Sequence, residues 1–129
     1  MSQLAQISLQ AELHHLTVSF TQEIDVPSSV NELLVPGEVA QIAYKTVRDT
    51  AVVTNKRIII SDKQGLTGKK VEVYTIPFKS IIMYSSENAG TFDLNTELEL
   101  WTKAGKFKLN LAKKVDIRKL DKVIAEAIL

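Results

Sequence analysis

Between Arg48 and Ser80 the chain reads RDTAVVTNKRIIISDKQGLTGKKVEVYTIPFKS, three short β-rich runs joined by two sharply marked turns. Thr50 to Thr54 and Arg57 to Ser61 are dense in Val and Ile, the residues that suit a pleated, half-buried surface. Asn55-Lys56 separates them, and Asn tolerates the left-handed backbone that a two-residue hairpin turn demands. The reading is an antiparallel hairpin. After it, Asp62 to Lys70 carries Gly65 and Gly68 among three lysines, and a strand resumes at Val71.

Downstream the same grammar repeats. Val71, Val73 and Thr75 alternate with Glu72, Tyr74 and Ile76, and Pro77 bends or ends that strand because it cannot donate to a ladder. Ile81 to Tyr84 form the next strand, and Ser85 to Thr91 the loop after it. In Phe92 to Trp101 the apolar Phe92, Leu94, Leu98 and Leu100 alternate with Asp93, Asn95, Glu97 and Glu99, a period of two with one wet face. Lys106 to Leu111 repeats the pattern, with Phe107, Leu109 and Leu111 inward, and Lys103-Ala104-Gly105 makes the turn of a second hairpin. The chain then closes on a helix. Asp116 caps it, Val115 staples onto Leu120, and Ile117, Leu120, Ile124, Ala127 and Ile128 form one apolar stripe. About seven strands followed by one amphipathic helix predict a mainly β fold, a strongly bent antiparallel sheet, closed or nearly closed, with the helix plugging an open end.

The N-terminal third reads differently. Leu9, Leu13, Leu16 and Phe20 recur at helical spacing, which predicts an amphipathic helix over residues 3 to about 18, although Thr17 to Thr21 leans toward β structure. Ser29-Val30-Asn31-Glu32 has the form of a capping box, so a short helix is expected from Val30 to Leu34, ended by Pro36-Gly37. Glu38 to Lys45 suits a strand covered on both sides, and a tight turn at Thr46 to Arg48 leads into the central hairpin. From Met1 to Tyr44 there is no Lys or Arg, and five acids make that segment −5; the remainder, with 16 bases and 10 acids, is +6. The two parts either pack on each other, within or between chains, or present separately solvated surfaces.

A chain of 129 residues fits one domain. With no cysteine, disulfides and thiolate metal sites are excluded. No apolar run approaches the roughly 20 residues that span a bilayer, and Met1 to Leu16 lacks the pattern of a signal peptide, so a soluble, cytoplasmic protein is expected.

The order of elements is the plan of the pleckstrin-homology superfold, and several stretches resemble the bacterial PH-domain family of small stand-alone proteins. They are Leu34-Val35-Pro36-Gly37-Glu38, Arg48-Asp49, Thr54-Asn55-Lys56-Arg57, Asp62 to Lys70, Ile76-Pro77-Phe78-Lys79-Ser80-Ile81 and Ala89-Gly90-Thr91-Phe92-Asp93. The resemblance implies a PH-like barrel over residues 34–129, preceded by an acidic, partly helical leader over 1–33. It also implies a tendency to assemble into homo-oligomeric rings, and no enzymatic activity.

Few residues offer chemistry. Gln64 to Lys70 superficially resembles a phosphate loop, but only two residues separate its glycines and a strand follows, so the glycines serve the turn. Lys45, Arg48, Lys56, Arg57, Lys63, Lys69, Lys70 and Lys79 surround the hairpin and its loop. Either they are solvated and paired with Asp49, Asp62 and the leader, or the first seven bind an anionic membrane surface or lipid headgroup. In eukaryotic PH domains bases around the first hairpin grip inositol phosphates, and here the Lys45 to Arg48 turn lacks that basic repeat. His14 and His15 are adjacent and on a helix point apart, so they do not chelate a metal, and no further His completes a zinc site or a nucleophile pair. Glu97 and Glu99 share the solvent face of a strand. Trp101 is either a packing anchor under the terminal helix or an exposed interface residue. With 6% aromatic residues and no basic-aromatic run, no nucleic-acid platform is expected. The expectation is a non-enzymatic interaction module, with no cofactor, that self-assembles and has a possible protein partner. Membrane-surface binding is the alternative, and a small ligand in the barrel mouth a third reading.

Overall fold

The computed structural model describes residues 15–64, 70–87 and 94–129. Lys69, the glycine loop at 65–68, His14, Phe92 and the start of the expected N-terminal helix therefore lie outside the described residues. Among those described, nine strands form two sheets. The first has the order β1 (His15–Phe20), β9 (Gly105–Leu111), β8 (Thr96–Thr102), β7 (Ile81–Ser86). The second has the order β2 (Gln22–Ile24), β3 (Ala40–Lys45), β4 (Thr50–Thr54), β5 (Arg57–Gln64), β6 (Lys70–Pro77). A single helix, α1 (Ile117–Ile128), follows the last strand.

The helix expected to reach residue 18 is corrected at its C-terminal end, because His15–Phe20 is a strand. Leu16, Val18 and Phe20 alternate with Thr17 and Ser19, and this period of two wins over the sparser helical spacing once a sheet edge is available. β1 pairs parallel to β9, Leu16 beside Phe107, Val18 beside Leu109 and Phe20 beside Leu111. The other strand pairs are antiparallel. One residue past β1, the chain has crossed to the other sheet: Ala112 N–H donates to Phe20 C=O at 3.0 Å, and Thr21 N–H donates to Lys45 C=O at 2.8 Å. This segment of the expected leader stitches the two sheets together at one corner. The sheets thus take in residues 15–24 from the stretch read as preceding the barrel, and the strand count rises from about seven to nine.

The main core lies between the sheets. Tyr44, Val53, Ile58 and Ile60 face Leu98, Leu100, Leu109 and Leu111, and Leu120 and Ile124 of α1 pack onto them, all essentially without exposure. The ring of Phe20 stacks on Tyr44, with centroids 4.6 Å apart. A smaller cluster of Val30, Ala43, Val52 and Ile59 sits on the other side of the second sheet. It explains why Glu38 to Lys45, and with it β3, reads as covered on both faces, and it covers β4 and β5 as well: residues 24–34 wrap over them.

That wrap ends in a 3₁₀ turn, Ser28–Glu32, begun by Pro27 without any side-chain cap. The capping box of Ser29 and Glu32 does not form, since Pro27 pre-sets the turn's entry and starts it one residue before Ser29. Pro36-Gly37 does end the segment: Glu38 N–H donates to Val35 C=O at 3.0 Å, and Gly37 at φ 82° fills the third position of a type II turn. The central hairpin pairs Val53 with Ile58 and Thr50 with Ser61. Asn55 is not in the left-handed region at its turn. Its amide instead ties the turn to the preceding loop, accepting from Val39 N–H at 2.8 Å and donating to Gly37 C=O at 3.1 Å.

Leu98 and Leu100 point inward as expected, but Leu94 is exposed and β8 begins only at Thr96. Trp101 is out of phase with them and half-buried on the outer face of the first sheet. Lys106 Nζ lies 5.2 Å from its ring centroid, so the tryptophan is a cation-π partner on a strand and not an anchor under α1. Asp116 caps α1, accepting from Arg118 N–H at 3.0 Å and Lys119 N–H at 3.2 Å.

Candidate functional site

The sheet register divides the basic residues that the sequence placed around one hairpin. Lys45, Arg48, Lys63 and Lys70 lie at the end of the second sheet formed by the β3–β4 turn and the far ends of β5 and β6. Lys56, Arg57 and Lys79 lie at the opposite end, beside the β4–β5 turn and Pro77. From Arg57 to Lys63 is six residues of strand, about 20 Å. The described bases therefore form two groups at opposite ends, and Lys69 lies outside the described residues.

Arg57 is occupied by structure. Its Nε and Nη2 donate to Glu38 Oε2 and Oε1 at 2.8 and 3.0 Å, a bidentate pair in which the carboxylate is fully buried. Thr54 Oγ1 donates to Glu38 Oε2 at 2.7 Å, and Val35 N–H donates to Oε1 at 3.0 Å. Two further guanidinium hydrogens go to Leu33 C=O at 2.6 Å and Thr75 Oγ1 at 3.2 Å. The Arg57 guanidinium, outweighing the effect of burial, holds the Glu38 carboxyl at a pKa of about 2. Two stretches that carry the family resemblance, Leu34 to Glu38 and Thr54 to Arg57, thus meet in one scaffold network.

At the other end, a cleft of about 310 Å³ opens between β1 and the end of the second sheet. Leu16, Thr17, Val18 and Ser19 form one wall, and Thr46 to Arg48, Ile60 to Asp62 and Tyr74 form the other. The β3–β4 turn that shapes it is tight: Thr46 N–H donates to Asp49 C=O, and Asp49 N–H donates back to Thr46 Oγ1, both at 3.1 Å. Arg48 Nη1 stands 3.7 Å from Asp62 Oδ2, an ion pair longer than a hydrogen bond. Asp62 Oδ1 is buried and accepts no hydrogen bond among the described residues, although the side chain as a whole is 24% exposed. The hydroxyl of Tyr74 is held above its ordinary pKa, chiefly by its hydrogen bond to Glu72. Sequence reading named Asp62 only as a partner for nearby bases. Its place in a cleft depends on β1, which helical spacing had concealed.

Two acids of the N-terminal segment pair within the chain, Glu38 with Arg57 and Glu23 with Lys119 on α1. On the outer face of the first sheet Glu99 contacts Lys106 at 3.1 Å and Glu97 lies 3.8 Å from Lys108, and with the two carboxylate side chains 19% and 44% exposed, the face read as the solvent side is only partly solvated. Among the described residues no three His, Cys, Asp or Glu side chains come close enough to hold a metal ion. No helix among them is long and apolar enough to cross a membrane.

The comparisons with known proteins agree with this architecture. The family model described as Bacterial PH domain matches residues 11–128. The uncharacterized protein YjqA of Bacillus subtilis is 50% identical over 76 residues, 59% of this chain and 61% of the relative, so the match spans about three fifths of that protein. The uncharacterized protein YozO of the same organism is 38% identical over 94 residues, covering 73% of this chain and 82% of YozO. Among solved structures, a protein with a pleckstrin-homology domain from Shewanella loihica superposes with a TM-score of 0.71 at 35% identity, over 88% of this chain and 99% of the other. A pleckstrin-homology domain from Shewanella amazonensis gives 0.62 at 41% identity, over 79% and 84%. A PH-like pair of sheets closed by a C-terminal helix fits a family that suggests a binding or scaffold module, and with the family match running from residue 11 nearly to the end, this chain belongs to the bacterial PH domain family.

Proposed function

We propose that the protein is a non-enzymatic interaction module that associates with further copies of itself through the seam between β6 and β7. The observation that carries this reading is the pair of unpaired edges there. Among the described residues β6 pairs with β5 and β7 with β8, and no described strand lies along the outer side of either, which leaves both as sheet edges. Both edges also carry apolar side chains in solvent: Val71 is 48% and Val73 44% exposed on β6, Ile82 71% and Met83 53% on β7. Ile82 sits at a break in the β7–β8 register, which turns it away from the sheet. A neighbouring strand laid along such an edge gains main-chain hydrogen bonds and covers the valines. Replacing Val73 and Ile82 together by lysine puts charge on both edges without touching the core; the native mass of that variant should fall relative to wild type. An unchanged mass would move the contact elsewhere.

Binding to an anionic membrane surface is supported by one specific observation, the grouping of Lys45, Arg48, Lys63 and Lys70 at one end of the second sheet. Each base near such a surface adds about 1 kcal/mol, and screening by salt removes it. Vesicle sedimentation separates this reading from the first: it requires recovery with acidic vesicles that falls as salt is added, and equal recovery with neutral vesicles would end it.

A further inference from the structure

We infer that two copies of the chain dock through a groove beside the β4–β5 turn, each placing its exposed Asp25-Val26 and Glu32-Leu33 in the groove of the other, apart from the seam between β6 and β7. The charge split along the sequence points to it. Residues 1–44 hold five acids and no base, and within the chain Glu38 is taken by Arg57 and Glu23 by Lys119, while Glu12 lies outside the described residues. Asp25 and Glu32 remain. Both are exposed, and among the described residues neither has a base within ion-pair distance. Each is followed by an apolar residue that also stands in solvent, Val26 at 39% and Leu33 at 41% exposure. Such a lip gains twice from being covered, once through its apolar side chains and once through its unpaired carboxylates.

The matching surface adjoins it. A groove of about 690 Å³ opens between the β4–β5 turn, the turn from Pro77 to Ile81 and the end of α1. Val35, Phe78, Ile81 and Ile128 supply its apolar wall, and Val35 is itself 50% exposed. Lys56 and Lys79 line it too, both exposed and, among the described residues, without an acid within ion-pair distance. The groove therefore fits acid next to apolar, the combination that the lip presents. Arg57, in the groove wall, donates to Leu33 C=O at 2.6 Å, so Glu32-Leu33 stands at the groove's border. With lip and groove side by side, a twofold axis lets each copy give its lip and receive its partner's. Every contact then occurs twice, and the pair closes on itself.

Light scattering at high micromolar concentration, on a chain whose seam is blocked by Val73→Lys with Ile82→Lys, tests this contact apart from the seam. That variant should keep twice the 14.4 kDa chain mass. Adding Asp25→Lys with Glu32→Lys, or instead Lys56→Glu with Lys79→Glu, should reduce it to the single-chain mass, because either change sets like charges against each other in both contacts. Mixing the two charge-reversed chains should restore the doubled mass. The basic lip then meets the acidic groove and the acidic lip the basic groove, a gain that no misfolded variant can mimic. A single-chain mass for the seam-blocked variant would leave the groove to a different partner and overturn the inference. A doubled mass kept by either reversed chain alone, or a mixture that stays at the single-chain mass, would overturn it as well. A seam-blocked variant equal to wild type at twice the chain mass would sink the seam reading alone and support this one.

Discussion

Glu38 is the residue on which local stability turns. Its carboxylate accepts from Arg57, Thr54 and the Val35 amide while fully buried, and these bonds hold its pKa at about 2 against 4.5 in the free side chain. A carboxyl depressed on folding contributes stability that is complete above the unfolded value and disappears as pH falls through the folded one. Thermal stability should therefore decline between about pH 4.5 and pH 2, by up to about 3 kcal/mol from this group. Glu38→Gln should cost a similar amount at neutral pH, about 3 to 5 kcal/mol, because it strands the Arg57 guanidinium, and it should flatten the acid dependence measured by chemical denaturation. A variant as stable as wild type would show that the network is not formed. Tyr44 makes the opposite case. Its hydroxyl is buried with no hydrogen-bond partner among the described residues, and burial pushes its pKa up. Tyr44→Phe removes that unsatisfied group and keeps the stack on Phe20, so the melting temperature should hold or rise; a clear fall would mean that the hydroxyl has a donor or acceptor after all.

At the level of elements, the terminal helix was readable in full from its sequence, because cap, staple and stripe all agree. Asp116, Val115, Leu120 and Ile124 stand where that pattern puts them. Asp121 adds a tie that the pattern does not contain: Ser86 Oγ donates to it at 2.8 Å, and the Tyr84 hydroxyl, raised in pKa mainly by burial, also bonds it. Asp116→Ala should cost about 1 kcal/mol as a lost cap. Leu120→Asp places a charge in the core and should prevent cooperative folding at physiological temperature, which circular dichroism on heating would show. β1 was not readable, because Leu9, Leu13, Leu16 and Phe20 fit a helix as well as Leu16, Val18 and Phe20 fit a strand. What decides between them is β9, ninety residues away, and a local pattern carries no information about that partner. The same holds for Asn55, whose turn is fixed by bonds to Gly37 and Val39 instead of by its own backbone preference.

For the whole molecule, hydrophobic alternation made the mainly β, helix-capped barrel plan legible, though as one bent antiparallel sheet where the structure has two, while the grouping of surface charge was hidden. Bases adjacent in sequence, Arg57 and Lys63 for example, are sent to opposite ends by the length of one strand. The candidate cleft was likewise hidden, since it needs β1, the β3–β4 turn and β5 together. With its N-terminal strands stitching one corner, the barrel has no strand pairing between β6 and β7 at its other corner among the described residues, and this opening is the basis of the proposed self-association. The native mass of the wild-type protein in solution, by light scattering at high micromolar concentration, tests that claim most directly. The account predicts a multiple of the 14.4 kDa chain mass. A single-chain mass of 14.4 kDa across the concentration range would contradict it.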